Sequence, residues 1–421
     1  MRLIGGNYFL AMFLNIAVLS IAIAMVTVPV AAADTGALPL DVNGDGTIGS
    51  DEMASAILDY LERQHAGTSM DEGLYADLTD GAYVYTYWNK TAKTVHDFSG
   101  QTVTLTRPIH RAVVMNGETA ETLRSLGFDS TKVVGVGKYI LEDPVFFPEY
   151  AGMPNVGSIW SPDYEKIISL SPDTVIIYAD FMDSKGDEIQ ETIQSMDPSI
   201  HVLRYDLFNP ETYAEEVGLL AAAVDREDEG SDFVAFYTQQ MNTVTGRVAT
   251  IPEDERVTVY FENADDYKSC AEGSGYHDKI IMAGGHNIFG NATPSYPEVN
   301  PESVLFADPE VVLKLQGTGV LDFGGYADDD TTRTAEVYEG LLARPGWNSM
   351  AAVKDGRVYI IDSDIFGGPK HFIGILYLAT WFYPDMFADV NPEDVHQEYL
   401  TTYQHSDYDL SSHGVFVYPV A

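Results

Sequence analysis

The chain has 421 residues, with 64 Asp and Glu against 23 Lys and Arg, a formal charge of −41 at neutral pH. A surface this acidic repels nucleic acid and other polyanions, which excludes that class of partner and leaves a solvated acidic coat suited to a salty medium. An apolar content of 45% excludes disorder and permits a sizeable core, while the single Cys270 excludes an internal disulfide and a thiolate zinc cage.

Arg2 precedes an apolar run from about Tyr8 to Val30, followed by Ala31-Ala32-Ala33. That order predicts a secretory signal peptide over residues 1–33 with a small-residue cleavage site. The run also matches the roughly 20 residues a membrane anchor needs, so the rest of the chain is expected outside the cytoplasm, secreted or anchored through this segment. No cysteine lies beside it to take a lipid. The later apolar stretch "FIGILYLATWF" is too short to span a bilayer.

Next comes "DVNGDGTIGSDE", residues 41–52, which has the layout of an EF-hand or dockerin calcium loop. Asp41, Asn43 and Asp45 supply side-chain oxygens at loop positions 1, 3 and 5, Thr47 offers its carbonyl at position 7, and Glu52 closes the loop at position 12. Gly46 stands where the backbone must turn sharply, and Gly49 leaves position 9 to a water. Ile48 points inward, and "MASAILDYLER" follows as an amphipathic helix. The chain holds no second such loop, so the expected Ca2+ is structural rather than sensory.

From about Val95 the pattern alternates. "RAVVM", "KVVGVG", "DTVIIYAD" and "IHVLRYD" read as buried strands, separated by the helices "GETAETLRSLG" and "SPDYEKIISLS". Residues from about Pro210 to Ala249 have helical spacing broken only around "DREDEGSD", which reads as one long helix or two in line. A second series follows: the strand "RVTVYFEN", the helix "HDKIIMAGG", the helix and strand of "PESVLFADPEVVLKL", the helix "TAEVYEGLLA" and the strand "GRVYIID". The fold class is therefore α/β, two Rossmann-like lobes joined by a long rigid helix, preceded by a small helical calcium-loop module. The expected divisions are 34–80 for that module, 81–208 for the N-terminal lobe, 209–250 for the linking helix, and 251–421 for the C-terminal lobe and tail.

The motifs "RAVVMNGETAETLRSLGF", "PNVGSIWSPDYEKIISLSPDTVIIY", "YPEVNPESVLFADPEVVL" and "RPGWNSMAAVKDGRVYIID" stand in an order that resembles the substrate-binding proteins of iron-complex and vitamin B12 ABC transporters. The resemblance runs from about Arg111 to Tyr399. It implies an extracytoplasmic, monomeric protein that captures an iron chelate, haem or a corrinoid between its lobes and delivers it to a membrane permease and its ATPase. It also implies one glutamate from each lobe that docks on permease arginines. By motif position these are Glu121 and Glu302, with Glu118 replacing Glu121 if the register shifts. Two exposed carboxylates on separate lobes form a two-point electrostatic latch.

Ligand contacts are expected in loops at the carboxyl ends of strands. In the first lobe this selects Tyr139, Trp160 and Tyr178; in the second it selects Tyr267, Tyr276, His277, Tyr296, Asp364 and Lys370. Flat aromatic rings suit a large, partly apolar chelate. Trp160, Tyr139, Tyr296 and Asp364 fall where the resemblance implies corrinoid contacts. For an anionic ferric chelate it implies a cleft arginine, for which Arg333 is the main candidate with Lys370 behind it, unless Arg333 pairs with Asp328 to Asp330. His277 and Tyr276 are the candidates for direct haem ligation. The chain has no GxSxG elbow, P-loop, HExxH or dinucleotide fingerprint, which agrees with a binder rather than an enzyme. The readings set against this are a calcium-dependent adhesion or scaffold protein and a metal-dependent hydrolase. "NKT" at 89–91 and "NAT" at 291–293 are sequons.

Overall fold

A computed structural model describes residues 36–179 and 184–419; the signal or anchor segment expected over residues 1–33 lies outside them. Among the described residues, no helix is long and apolar enough to cross a membrane.

The chain first forms two helices, α1 (Ser50–Ala66) and α2 (Glu72–Tyr87), then a hairpin of β1 (Lys93–His96) and β2 (Thr102–Leu105). The expected boundary at residue 80 is corrected here, because α2 runs through it. Asp80, buried in that helix, accepts from Arg107 at 3.1 Å and lies 2.7 Å from His110 Nε2, so the helical pair is bolted to the lobe that follows. Ile48, Met53, Leu78 and Val84 belong to the same apolar core as Val114 and Leu203 of that lobe. The 41–52 loop and its two helices are thus an extension of the first lobe.

The first lobe is built on β3 (Ala112–Val114), β4 (Val133–Val136), β5 (Thr174–Ile177) and β6 (His201–Arg204), with α3 (Gly117–Ser125), α4 (Tyr164–Ser169) and α5 (Lys185–Met196) between them. All four strands are parallel, in the order β4-β3-β5-β6. Strand alternation sends Val113, Val175 and Val202 to one apolar layer and Val114, Ile176 and Leu203 to another, so both faces are covered, as a parallel sheet requires.

Two helices then connect the lobes, α6 (Tyr213–Ala223) and α7 (Glu227–Val248). They do not run in line. The chain reverses at Asp225, whose φ is +57°, and α6 folds back on α7 so closely that a Cβ on Gly230 would lie 2.5 Å from that of Ala221. The 22-residue α7 is the rigid connector: its Phe236 and Tyr237 meet Phe372 of the second lobe, and its partner helix carries Tyr213 against Phe233.

The second lobe contains β7 (Thr258–Glu262), α8 (Gly275–Met282), β8 (His286–Asn287), α9 (Pro301–Ala307), β9 (Val311–Gln316), α10 (Thr332–Leu342), β10 (Val358–Asp362), α11 (Ser363–Phe366), α12 (His371–Phe382), α13 (Pro392–Glu398) and β11 (Val417–Tyr418). Its sheet has the order β8-β7-β9-β10-β11, parallel except for the last strand. The apolar stretch around Phe372 is α12, a core helix buried nearly all round.

Gly230→Val should pry α6 from α7 and cost about 1 to 3 kcal/mol by overpacking. Urea unfolding checks this, and an unchanged midpoint would refute the tight crossing.

Candidate functional site

Because the first lobe's strands are parallel, their carboxyl ends open on one edge, and the loops there form one wall of a cleft of about 380 Å³. That wall is made by Asn116 to Glu121 after β3, by Tyr139, Asp143 and Phe146 after β4, by Trp160, and by Tyr178 after β5. The opposite wall is Ser363 and Asp364 after β10 and the turn Gly367 to Lys370 that leads into α12. Two local devices set the first wall. A Cβ on Gly137 would fall 2.2 Å from the Met115 carbonyl oxygen, so only glycine lets the loops after β3 and β4 cross. Gly157, with φ +86°, starts a tight two-residue hairpin whose tip buries Ile159 and leaves Trp160 55% exposed. Tyr139 stands equally exposed beside it, at 55%.

The floor of the cleft is a buried ion pair between the lobes. Lys370 Nζ donates to Glu121 Oε2 at 2.8 Å, and Tyr399 Oη donates to Oε1 at 2.5 Å. The ammonium also lies 3.8 Å from the Phe146 ring centroid. Above the floor, Tyr178 Oη donates to Glu118 at 2.6 Å. Asp143 accepts from the Phe146 amide at 3.1 Å, and Asp364 from the Tyr326 amide at 3.3 Å. Burial raises the carboxyl pKa of Glu118, Asp143 and Asp364, and the Asp143 charge adds to the last. Two histidines behind this floor are neutral. Burial pushes His371 down to about 3, helped by Lys279, and pushes His396 down to about 3, helped by Lys370. Tyr237 Oη lies 2.8 Å from His371 Nε2, while His371 Nδ1 lies 2.7 Å from the Gly368 carbonyl, which fits an Nδ1–H tautomer.

A cleft between two α/β lobes carried on a helix is an architecture that can be compared. The model of the family described as periplasmic binding protein matches residues 113–365. The chain belongs to the periplasmic binding protein family. An uncharacterized ABC transporter substrate-binding lipoprotein of Bacillus subtilis is 24% identical over 70% of this chain and 87% of its own. The molybdate-binding protein MolA of Haemophilus influenzae is 25% identical over 73% of this chain and 89% of its own. Among solved structures, the TroA-like periplasmic binding protein FepB of Veillonella parvula superposes with a TM-score of 0.66 at 23% identity, over 77% of this chain and 98% of that one. Further relatives, 22 to 24% identical, are named for Fe(3+)-citrate and petrobactin in Bacillus subtilis and for vitamin B12 in Vibrio parahaemolyticus. Such proteins are the extracytoplasmic solute-binding partners of a membrane permease and ATPase, and are not enzymes. Neither the adhesion nor the hydrolase reading finds support among them.

In this binding protein Tyr139, Trp160, Tyr178, Asp364 and Lys370 line the cleft together, as expected. Five other expected contacts do not line it. Tyr276 stacks on Phe366 and Phe261 at 5.3 and 5.1 Å, in the packing of its own lobe, and Tyr296 meets its edge at 6.4 Å. His277 Nδ1 is 3.1 Å from the Asn287 amide. Tyr267 packs 4.6 Å under Arg344, whose guanidinium joins Lys314 on the fully buried Glu262, a structural charge cluster. Arg333 is exposed and stacks 3.9 Å over Phe323; no ion pair to Asp328, Asp329 or Asp330 is among its described contacts.

Glu121 is corrected as a docking residue. It is 3% exposed and spent on Lys370, and Glu118 also turns into the cleft. Glu302 is exposed at the start of α9, and one turn later Phe306 is 93% exposed. The counterpart of Glu302 in the first lobe is Glu165. Both lobes contain a short helix capped by an Asx side chain, Asp163 before α4 and Asn300 before α9, with the exposed glutamate two residues on and a proline, Pro172 or Pro309, ahead of the next strand. The signal was present in the sequence as "DYEKIISLSPD" against "NPESVLFADPE".

In the 41–52 loop the acids hold the loop's own amides. Asp41 accepts from Gly44, Asp45 and Gly46, Asp45 from Thr47, and Glu52 from Val42, Asn43 and Gly49. Among the described residues no group of three or more His, Cys, Asp or Glu side chains is arranged to hold a metal ion. Ile48, fully buried, donates its amide to the Lys90 carbonyl at 2.9 Å, so the turn after α2 braces the loop.

Lys370→Met strands a buried carboxylate and should cost about 3 to 5 kcal/mol, with the pair replacement Lys370→Met/Glu121→Leu recovering most of it. Denaturant unfolding of the three proteins checks this; a double variant no better than the single would show that the pair is not the unit. For the histidines, NMR titration should find His371 and His396 still neutral below about pH 5, where exposed imidazoles have long since protonated. Since their folded pKa lies below the unfolded value, their contribution to stability is full above about pH 6.5 and is lost as pH falls toward 3.

Proposed function

We propose that this protein captures a bulky metal-bearing ligand, a ferric chelate, haem or a corrinoid, in the interlobe cleft and hands it to an ABC importer. The observation that carries this reading is the pair of half-exposed rings, Tyr139 and Trp160, at the mouth of a cleft made by both lobes. Rings left out of the core and facing a cavity hold a flat ligand by area. A corrinoid is larger than the cleft's volume and stands partly outside it, against those rings. Trp160→Ala should weaken binding by about 1 to 3 kcal/mol and remove most ligand-dependent quenching of tryptophan fluorescence. Unaltered affinity would take Trp160 out of the site.

We assign docking on the permease to Glu165 and Glu302, matched in position on the two lobes and both exposed. Glu165→Ala/Glu302→Ala should abolish uptake in cells and leave ligand affinity untouched; weakened affinity would overturn the assignment. The protein acts outside the membrane, released or tethered through its N-terminal segment.

We further propose that the 41–52 loop takes one structural calcium ion. The residue types at positions 1, 3, 5 and 12 support it, as does Gly46 at φ +80° where the loop must turn, and an oxygen bonded to one amide retains a lone pair for the cation. With a Kd of roughly 10⁻⁴ to 10⁻³ M, 10 mM calcium would stabilise the fold by about 1.4 to 2.7 kcal/mol. Thermal unfolding with calcium and with chelator measures it, and Glu52→Gln should remove the difference.

A further inference from the structure

Among the described residues, the charged groups on the cleft wall are four carboxylates and one ammonium: Glu118, Glu121, Asp143 and Asp364 against Lys370. The ammonium is already committed, since it pairs with Glu121 at 2.8 Å. Among the described residues no ion pair joins Glu118, Asp143 or Asp364 to a cation; their bonds are to the Tyr178 hydroxyl and to backbone amides. Two cations near the wall carry ion pairs of their own. Arg124, behind Phe146, pairs with Glu149 at 3.3 Å, and Lys138, beside Tyr139, pairs with Glu142 at 3.2 Å. The lining also holds the rings of Tyr139, Phe146, Phe147, Trp160 and Tyr178, and ring faces attract cations rather than anions. Of the two cations expected to receive an anionic chelate, Arg333 is not on the wall, and Lys370 is on it but paired with Glu121.

We propose that the cleft selects a positively charged metal complex and rejects anionic ones. This rests on the capture reading above and narrows it: a corrinoid whose cobalt carries an uncompensated positive charge fits, whereas ferric citrate and molybdate meet three carboxylates with no cation to receive them. A cationic centre placed between the Tyr139 and Trp160 rings and the carboxylates of Glu118 and Asp364 meets an excess of carboxylates over the one ammonium, Lys370, which Glu121 already neutralises. An oxyanion in the same place would be repelled by the carboxylates, and the Lys370 ammonium that could receive it is already neutralised by Glu121. Like charges facing each other without solvent between them are a strong means of rejecting wrong partners.

The test uses the full chain and four ligands: aquocobalamin, which is cationic, cyanocobalamin, which has the same ring and no net charge, and the anions ferric citrate and molybdate. Titration calorimetry and tryptophan quenching read the affinities. Aquocobalamin should bind on the order of 10-fold or more tighter than cyanocobalamin, a factor typical of one added partly desolvated charge contact, and neither anion should compete. The isosteric variant Glu118→Gln/Asp143→Asn/Asp364→Asn should bring the two corrinoids toward equal affinity by weakening aquocobalamin more than cyanocobalamin. If the triple variant fails to fold, Glu118→Gln alone should reduce the ratio. Equal affinity for both corrinoids in the unaltered protein, an undiminished preference in the variants, or binding of ferric citrate or molybdate would overturn the charge selection and leave the capture reading standing. Binding of none of the four would overturn the charge selection and strike corrinoids and ferric citrate from the capture reading.

Discussion

A single buried ion pair, Lys370 with Glu121, ties the two halves of this protein together at the place where its ligand would rest. Both charges are taken out of water, and each is tolerated only because the other is there, with the Tyr399 hydroxyl and the Phe146 ring completing the surroundings. The pair fixes much else. It sets the distance between the loop after β3 and the turn before α12, and it spends the one ammonium on the cleft wall. It also sits beside two histidines that burial keeps neutral. A floor of this kind contributes positional definition more than net stability, since hydrophobic groups of the same shape would hold the lobes at least as firmly.

The connector reinforces that definition. Because α6 folds back on α7, the lobes are joined by a short helical block with aromatic packing on both sides, Tyr213 with Phe233 and Phe236 with Phe372. A hinge would need a few residues free to change backbone angles, whereas here the connection is packed along its length. Small adjustments of the loops that carry Tyr139 and Trp160 are therefore easier than rotation of a whole lobe, and the cleft is largely pre-formed for its ligand.

How much of this is legible in the residues alone depends on whether the deciding force is local. The strands and helices of both lobes are legible, because a run such as "DTVIIY" or "RVYIID" states its own burial. The wall of the first lobe is legible too, since Tyr178 follows a strand directly, Tyr139 stands three residues past one, and Trp160 lies in the turn signal "GSIWSP". In the second lobe the same rule selects Tyr267, Tyr276 and Tyr296, yet a ring just past a strand can pack inward as readily as outward, and neighbours distant in sequence, Phe366 and Arg344, decide it. The misplacement of Glu121 has a different cause. In α3 nearly every residue from Thr119 to Ser125 is buried although most are polar, so no amphipathic stripe marks the inner face. The Asx-capped repeat that identifies Glu165 is visible only when the two halves are laid over each other.

Phe306 sits one helical turn beyond Glu302, almost wholly in water. Attraction between opposite charges on two surfaces fades as dissolved ions shield it, over about 3 Å in molar brine. Contact between greasy surfaces does not fade in this way, and excluded salts strengthen it. An encounter that places this ring against a membrane partner therefore keeps its grip under conditions where a purely ionic handshake would slip, which is the environment that so acidic an exterior is suited to.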